Sequence, residues 1–480
     1  MRVFFVSGEN ECITSKYQPN LLTYLLILTD MSKVIKLKKG LDIKLVGEAE
    51  KSVLALPIGE RYSVSPLTFD GVVPKLLVAE GDKVMAGDVL FYDKAHPEVM
   101  FTTPVSGTVS AVRRGEKRKL LAIDIAADAQ QNYKPFKTNL AKASREEIMA
   151  TLLESGLWTM ILQRPYGIIA NSQDTPKAIF VSGFDSAPLA PEMNVALADD
   201  MKAVQAGFDA LKKLCPTVHL GLKAGEKSIL EDVKGVEKHY FAGAHPAGNV
   251  GVQIHHIDPI NKGEVVWTVA IQNVAIIGRL FLEGKLDMTK TYAVVGSQVA
   301  HPQYVKALVG SSIADVIMPA RIKPQSGGSS FRIIEGNVLT GRKASANDSL
   351  GCYSSQVTVI PEGGELELIG WLAPRFHKFS VSRTYFSWLM PKKKYDLSTG
   401  LNGGVRPFVV TGLYEKYLPM DIYPMYLFKA ILAGDIEKME NLGIYEIVEE
   451  DVALCEFVDP SKQDLQALVR DGINLMIKEM

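Results

Sequence analysis

Apolar residues in the first part of the chain come in short runs that alternate with polar ones and are interrupted by Gly and Pro, the period of strands rather than helices. From residue 34 to residue 126 this pattern predicts the short strands of an all-β barrel or sandwich. Its centre reads Val78-Ala-Glu-Gly-Asp-Lys-Val-Met-Ala-Gly-Asp-Val-Leu-Phe91, followed by Phe101-Thr-Thr-Pro-Val-Ser-Gly-Thr-Val109. Gly81-Asp82 and Gly87-Asp88 make two tight turns around a three-residue strand, and Pro104 with Gly107 marks another turn. Near residue 144 the texture changes. Ser144 is placed to N-cap a helix over Glu146–Ser155 that Gly156 stops. A strand at Lys177–Val181, a helix at Asp199–Leu214, a strand at Thr217–Leu222 and a long helix over Val269–Leu282 follow. Such alternation predicts a parallel, doubly wound sheet.

Lys290–Val295 opens a second β-rich region of short strands and Gly or Pro turns that runs to about Leu372. It contains a Ser/Gly-rich loop, Gln325–Ser330, expected to be mobile. Tyr417–Met480 is predicted to be helical with short loops. A chain of 480 residues has room for three or four domains, and 47% hydrophobic with 22% charged residues suits full globular cores. The net charge of −1 excludes a chain built as a whole to neutralise nucleic-acid phosphates.

Membrane spanning needs ~20 consecutive apolar residues. Leu21–Leu28 is too short, and Val269–Leu282 is broken by Gln272, Asn273 and Arg279. Any route for ions or electrons across a bilayer is therefore expected in other chains. Cys12, Cys215, Cys352 and Cys455 stand far apart with no C-x-x-C pair, so local sequence builds neither a zinc knuckle nor a cysteine-ligated cluster. That scatter suits a reducing compartment, the cytoplasm by default. Residues 1–30 differ in character from the rest and lack a signal-peptide cleavage pattern. They are read as an upstream extension that is poorly ordered, ahead of the regular β pattern from Met31.

The turns around Val78–Phe91 resemble the barrel-sandwich hybrid of lipoyl and biotinyl domains. Tyr92-Asp93-Lys94-Ala95 with Glu98-Val99 resembles the hairpin that carries their modified lysine. Here His96-Pro97 occupies the turn and the stretch to Pro104 is longer, so Lys94 is read as a solvated turn lysine. The fold resemblance holds without the swinging arm.

Three further stretches carry a more specific resemblance. They are Phe180-Val-Ser-Gly-Phe-Asp-Ser-Ala-Pro-Leu-Ala-Pro-Glu-Met193, then Gly243-Ala-His-Pro-Ala-Gly-Asn-Val-Gly251 with Trp267–Gly278, and Tyr445-Glu-Ile-Val-Glu-Glu-Asp-Val-Ala-Leu-Cys-Glu-Phe-Val-Asp-Pro-Ser461. In content and order they resemble the A subunits of the sodium-translocating NADH:quinone reductases, over residues 31–480. More distantly the chain is similar to the C subunit of the Rnf complex and the NADH- and FMN-binding subunit of respiratory complex I.

The resemblance implies a multidomain α/β protein. After the extension at 1–30 come a barrel-sandwich hybrid at 31–130, a Rossmann-like domain at 140–287 and an SLBB-like β-grasp domain at 288–375. A linker or hairpin region at 376–416 leads to a helical, ferredoxin-like domain without a cluster at 417–480. It further implies five partner subunits, B to F, in a complex that oxidises NADH, reduces ubiquinone or menaquinone and moves Na⁺ out of the cytoplasm. The chain would sit on the cytoplasmic side of the bacterial inner membrane, peripheral through its partners, with flavins and iron–sulfur in other subunits.

Two departures from the distant relatives shape the chemical expectation. Those that bind nucleotides have a Gly-Gly-Ala-Gly-Phe-Pro loop, whose bare backbone cradles phosphates. At the matching place this chain reads Gln163-Arg164-Pro165-Tyr166-Gly167, where side chains fill the space and Pro165 removes a donor. Arg164 is left as a lone candidate phosphate partner. The Rnf relative carries Cys-x-x-Cys-x-x-Cys ligands around the stretch matching Tyr445–Ser461, where only Cys455 remains here. Neither FMN nor NADH, nor a cluster, is therefore expected on this chain. No catalytic residue and no cofactor-binding residue is assigned.

The remaining candidates have bland alternatives. His239, His245, His255 and His256 lie close in sequence but fit no helical metal-ligand spacing, so they are read as structural or loop histidines and no metal site is assigned. Arg375-Phe-His-Lys-Phe-Ser-Val-Ser-Arg383 with Lys392-Lys-Lys394 interleaves basic and aromatic residues, and is read as a solvated hairpin or partner-docking surface in preference to an RNA site. Met420, Tyr423, Met425, Tyr426 and Phe428 form a stripe that either packs a core or lines a quinone pocket. Two other classes of function stay open: a lipoyl- or biotin-type carrier modified at Lys94, and an Rnf-like electron carrier.

Overall fold

The structure, a computed structural model, describes residues 34–137, 139–324, 330–363, 375–409 and 412–479. The extension at 1–30 and nearly all of the Gln325–Ser330 loop lie outside the described residues. A seven-stranded sheet organises the middle of the chain. Its strands run in the order Val34–Lys36, Glu237–Ala242, Val218–Lys223, Ile179–Ser182, Val266–Val269, Ile161–Arg164 and Ile168–Ile169. The first five are mutually parallel, and the last two pairings, through Ile161–Arg164, are antiparallel. The three central parallel strands are buried on both faces, which explains their apolar runs. Ile179 and Val181 face a core with helices Met201–Leu214 and Ile271–Glu283, whereas Ala178 and Phe180 face Ile254 of helix Val250–Ile257.

Local signals placed the first helix well. Arg145–Glu154 begins with a full capping box, Ser144 Oγ accepting from the Glu147 N–H while the Glu147 carboxylate accepts from the Ser144 N–H at 2.8 Å. Gly156 follows with φ of 76°, where an L side chain would be strained. The helix expected over Val269–Leu282 is Ile271–Glu283, because Val269 still belongs to the preceding strand. Two of the polar residues that interrupt its apolar run, Gln272 and Arg279, are fasteners inside the protein. Gln272 exchanges two hydrogen bonds with the Thr291 backbone, at 2.9 and 3.0 Å, and Arg279 meets Asp200 at 3.2 Å and Asp287 at 3.4 Å. Among the described residues no helix is long and apolar enough to cross a membrane.

Arg61–Val64, Leu120–Ala127, Gly107–Arg114 and Lys83–Val84 form a four-stranded sheet that faces a three-stranded one of Pro74–Leu76, Val89–Asp93 and Met100–Thr102. Phe91 stacks on Phe101 at 4.4 Å inside this barrel-sandwich hybrid. The Gly81 and Gly87 turns both have positive φ, with Asp82 and Asp88 closing them by accepting backbone N–H groups at 2.7 Å. Two strands read from sequence with this unit pair elsewhere. Val34–Lys36 joins the edge of the seven-stranded sheet beside Tyr240–Ala242, and Glu50–Ala55 joins the edge of a third sheet beside Gln303–Leu308. Alternation shows that a segment is a strand but not which sheet it completes.

The third sheet has six strands, ordered Arg342–Ala344, Phe331–Glu335, Gln356–Pro361, Thr289–Val295, Gln303–Leu308 and Glu50–Ala55. The chain then ends in helices Pro424–Ala433, Ile436–Asn441, Glu449–Val458 and Leu465–Glu479, packed on Leu427, Phe428, Val452, Cys455, Val469 and Ile473. Residues 417–423, expected to be helical, precede the helix that Pro424 opens at its first position.

Helices Met201–Leu214 and Ile271–Glu283 approach unusually closely, and glycine is the reason. A Cβ on Gly278 would stand 1.7 Å from the Ala203 carbonyl oxygen, and one on Gly207 2.0 Å from that of Val274. Gly278→Ala must push the helices apart, so we expect a loss of about 3 kcal/mol of stability, read as a lower denaturation midpoint. An unchanged midpoint would show that this contact is not tight.

Candidate functional site

The antiparallel strand Ile161–Arg164 delivers its last side chain to the base of the C-terminal helices. Arg164 is buried, donating from Nη1 to Asp451 Oδ2 at 2.5 Å and from Nη2 to Glu450 Oε1 at 2.5 Å. Both carboxylates belong to the first turn of helix Glu449–Val458, where acidic groups are also favoured by the helix dipole. Asp451 accepts the Val448 N–H at 3.0 Å as well, so one carboxylate caps its own helix and neutralises the arginine. Arg470 repeats the arrangement one helix later, bonding Glu449 at 2.8 Å and the Tyr166 carbonyl at 3.0 Å. Within the stretch Gln163–Gly167, Arg164 is thus paired with the protein's own carboxylates.

The crevice at the carboxyl ends of the parallel strands, where doubly wound sheets take ligands, is likewise filled from within. Ser186 Oγ accepts the Gly248 N–H at 2.8 Å and lies 3.0 Å from His245 Nδ1. Ser182 Oγ donates to the carbonyls of Phe184 and Gly248 and accepts from Gln253 at 2.8 Å. Gly251 has no room for a Cβ, which would lie 2.4 Å from Asp451 Oδ1 and 2.6 Å from Arg164 Nη1. Asn249 donates to the Glu450 carbonyl at 3.0 Å. The stretches 180–193, 243–251 and 445–461 therefore meet at one junction, the first two at the sheet end and the third docked over them.

Electrostatics follow from this crowding. Burial raises the pKa of Glu450, and Asp451, Asp185 and Glu449 add to that while Arg164 opposes it. Burial also raises that of Asp185, against a hydrogen bond from Ala187. His245 is pushed down to about 4, chiefly by desolvation, with Asp42 pulling the other way.

Beside the junction lies a cleft of about 310 Å³ between residues 260–262 and the C-terminal helices, with Lys262, Asp421, Tyr423, Glu440, Tyr445 and Glu446 in its wall. Its groups are largely paired: Lys262 with Glu440 at 2.8 Å, and His255 Nδ1 with Glu446 at 2.5 Å. The apolar stripe read from sequence splits. Met420, Met425 and Phe428 are core residues, Tyr426 is exposed, and Tyr423 alone reaches the cleft. Cys455 is fully buried among apolar side chains, and desolvation holds its thiol well above the ordinary range. It is a neutral core group rather than a waiting thiolate.

Lys94 is exposed on its hairpin, anchored by a backbone bond to Val73 at 2.9 Å, with Asp93 buried beneath it. The four neighbouring histidines do not converge. His245 faces Ser186, His255 pairs with Glu446, and His256 donates to the Pro419 carbonyl at 2.8 Å. His239 instead meets His219, a residue not considered from sequence, across two adjacent strands at 3.0 Å.

Over 453 residues the chain is 36% identical to the A subunit of the Na(+)-translocating NADH-quinone reductase of Neisseria meningitidis, covering 93% of this chain and 100% of that protein. It belongs to the family of these A subunits. The Haemophilus influenzae member is also 36% identical, over 452 residues, with the same coverage of both chains. The models named NqrA N-terminal barrel-sandwich hybrid domain, NqrA second alpha/beta domain and NQRA C-terminal domain match residues 35–128, 143–286 and 291–346. A solved NAD+-reducing [NiFe]-hydrogenase chain is 13% identical with a TM-score of 0.36, covering 70% of this chain and 61% of that one.

Arg164→Ala leaves Asp451 buried with no cation. We expect a loss of about 3–5 kcal/mol, the usual cost of removing one partner of a buried pair, and exposure of the C-terminal helices to limited proteolysis. Near-neutral stability would mean that the pair is dispensable. His245 yields a pH prediction. Its folded pKa of about 4 lies below the 6.5 of a free histidine, so the unfolded chain binds more protons between those values. Stability is therefore full above pH 6.5 and falls as the pH drops toward 4, by up to about 3 kcal/mol. His245→Asn should flatten the melting-temperature profile in that window, and an unaltered profile would remove His245 as its source.

Proposed function

We propose that this chain serves as the A subunit of a sodium-translocating NADH:quinone reductase and contributes shape rather than a redox group. It sits at the cytoplasmic face of the membrane and is held there by the other subunits, B to F. NADH and quinone are the substrates of the whole assembly, and flavins and iron–sulfur reside in the partner chains. The observation that carries this reading is the Arg164–Asp451–Glu450 cluster. At the place where nucleotide-binding relatives keep a bare backbone loop, a buried arginine is already neutralised by two carboxylates. A phosphate arriving there would have to displace both. The lone, deeply buried Cys455 adds that a four-ligand cluster has no site among these helices.

The chain then works by position, holding partners, and a quinone near them, in fixed geometry. An Rnf-like electron carrier would be coloured when purified, and a lipoyl-type carrier would show a mass increase at Lys94.

Cys455→Ser in the assembled complex tests the reading directly. The change removes the thiol at nearly constant size, so sodium-stimulated quinone reduction should stay close to that of the unaltered complex. A Cys455→Ser complex that assembles normally but passes no electrons to quinone would show a redox centre on this chain.

A further inference from the structure

At the end of the seven-stranded sheet opposite the junction, three ligand-type side chains project from two adjacent parallel strands onto one face. His219 pairs in register with Glu237, and His239 lies two residues further along Glu237's strand, on its same face. His219 Nδ1 stands 3.0 Å from His239 Nε2 and 3.5 Å from Glu237 Oε2, and one ligand atom from each residue lies within 4.8 Å of the others. The geometry points to a divalent metal site, formed by His219, His239 and Glu237 and selective for a borderline-soft cation of the Zn²⁺ class.

Coordination chemistry supports this assignment. Two ligand atoms on one tetrahedral zinc lie about 3.3–3.4 Å apart, and the two distances here bracket that separation. Small rotations about the side-chain bonds suffice to admit the ion. Two imidazole nitrogens with a single carboxylate favour Zn²⁺ and its transition-metal neighbours over Mg²⁺ and Ca²⁺, which prefer all-oxygen shells. A graded environment surrounds the site. His219 is buried against the Phe180 ring at 4.6 Å, His239 is half-buried and Glu237 is exposed. An ion can therefore enter from solvent and lean on a fixed inner ligand.

The surroundings are cation-favouring. Asp258 caps the C-terminus of helix Val250–Ile257 and acts electrostatically on His219, and that helix end carries the negative pole of its dipole. Asp258 and Glu264 are bridged by Lys177, at 2.5 and 3.1 Å. Burial lowers the pKa of His219 from its ordinary value, against the opposing pull of Glu237 and Asp258. A proton shared between the two rings holds them together without an ion, and a metal would replace that proton. Three protein ligands leave one position for water, so the site is an exchangeable clip on the strands beside Val34–Lys36 rather than a closed structural centre.

The test is zinc titration of the full chain after chelator treatment and dialysis, by calorimetry and by metal analysis, with Co²⁺ as a spectroscopic probe. One equivalent of Zn²⁺ should bind, raise the melting temperature and be displaced competitively by Co²⁺, with visible bands of nitrogen–oxygen ligation. His239→Gln and Glu237→Gln lie at the accessible side and should fold as the unaltered chain does in the absence of metal. Each should weaken binding by at least the 10–100-fold that loss of even an outer-shell partner costs. Two outcomes overturn the site: no stoichiometric binding to the unaltered chain, or binding that His239→Gln leaves unchanged, which would put the ion on other surface histidines such as His96 or His301. Neither outcome touches the role in the reductase complex, because the readout is metal binding to the isolated chain.

Discussion

The buried ion pair between Arg164 and Asp451 lies at the centre of the contacts that hold the C-terminal helices to the rest of the molecule. Both side chains are buried, and the partners are 287 residues apart in sequence. Taking two charges out of water is costly, and their attraction repays it only when the remaining polar atoms are satisfied and the geometry is fixed. The surrounding residues fix that geometry, although Asp451 Oδ1 itself accepts no hydrogen bond. Gly251 is bare because a Cβ there would strike both charged groups, and Val448 gives its N–H to the same carboxylate. Asn249 ties the helix backbone down on the far side. A displacement of the helices that separated the two groups would leave a buried charge unpaired.

The same contacts occupy the place where doubly wound sheets meet anions. A doubly wound sheet offers helix N-termini and bare glycine turns to anions at the carboxyl ends of its strands. Here the positive end of one helix receives Glu449, Glu450 and Asp451 from its own first turn. Ser182, Ser186 and Gln253 occupy the crevice with mutual hydrogen bonds. The end of the sheet here binds the protein's own C-terminal helices. Cys455 packs as a small apolar group in the core of the docked helices.

Much of the local architecture could be read in advance. Ser144 caps the helix it was expected to open, with Glu147 completing a capping box, and the Gly81 and Gly87 turns fall where Gly-Asp pairs stand. The apolar stripe of the C-terminal region was harder. Its members alternate between core and surface, since Tyr423 precedes the helix that Pro424 starts while Met425 and Phe428 lie on its inner face. The histidines show the limit most clearly. His239 belonged with His219 rather than with its sequence neighbours, and the one available cue was the Glu237-x-His239 alternation, which puts two ligand types on one face of a strand.

Capping, turn geometry and hydrophobic period depend on interactions within a few residues, so the sequence by itself determined the secondary elements, the barrel-sandwich and doubly wound patterns, and the family. Which strand completes which sheet depends on pairing across hundreds of residues, where a backbone edge accepts any strand of suitable pattern. For that reason only the tertiary structure placed Val34–Lys36 beside Tyr240 and Glu50–Ala55 beside Gln303–Leu308. It also decided the fate of Arg164. A single arginine in a loop reads the same whether it awaits a phosphate or a carboxylate, and its partner is named only when the helix bearing Asp451 is folded against it.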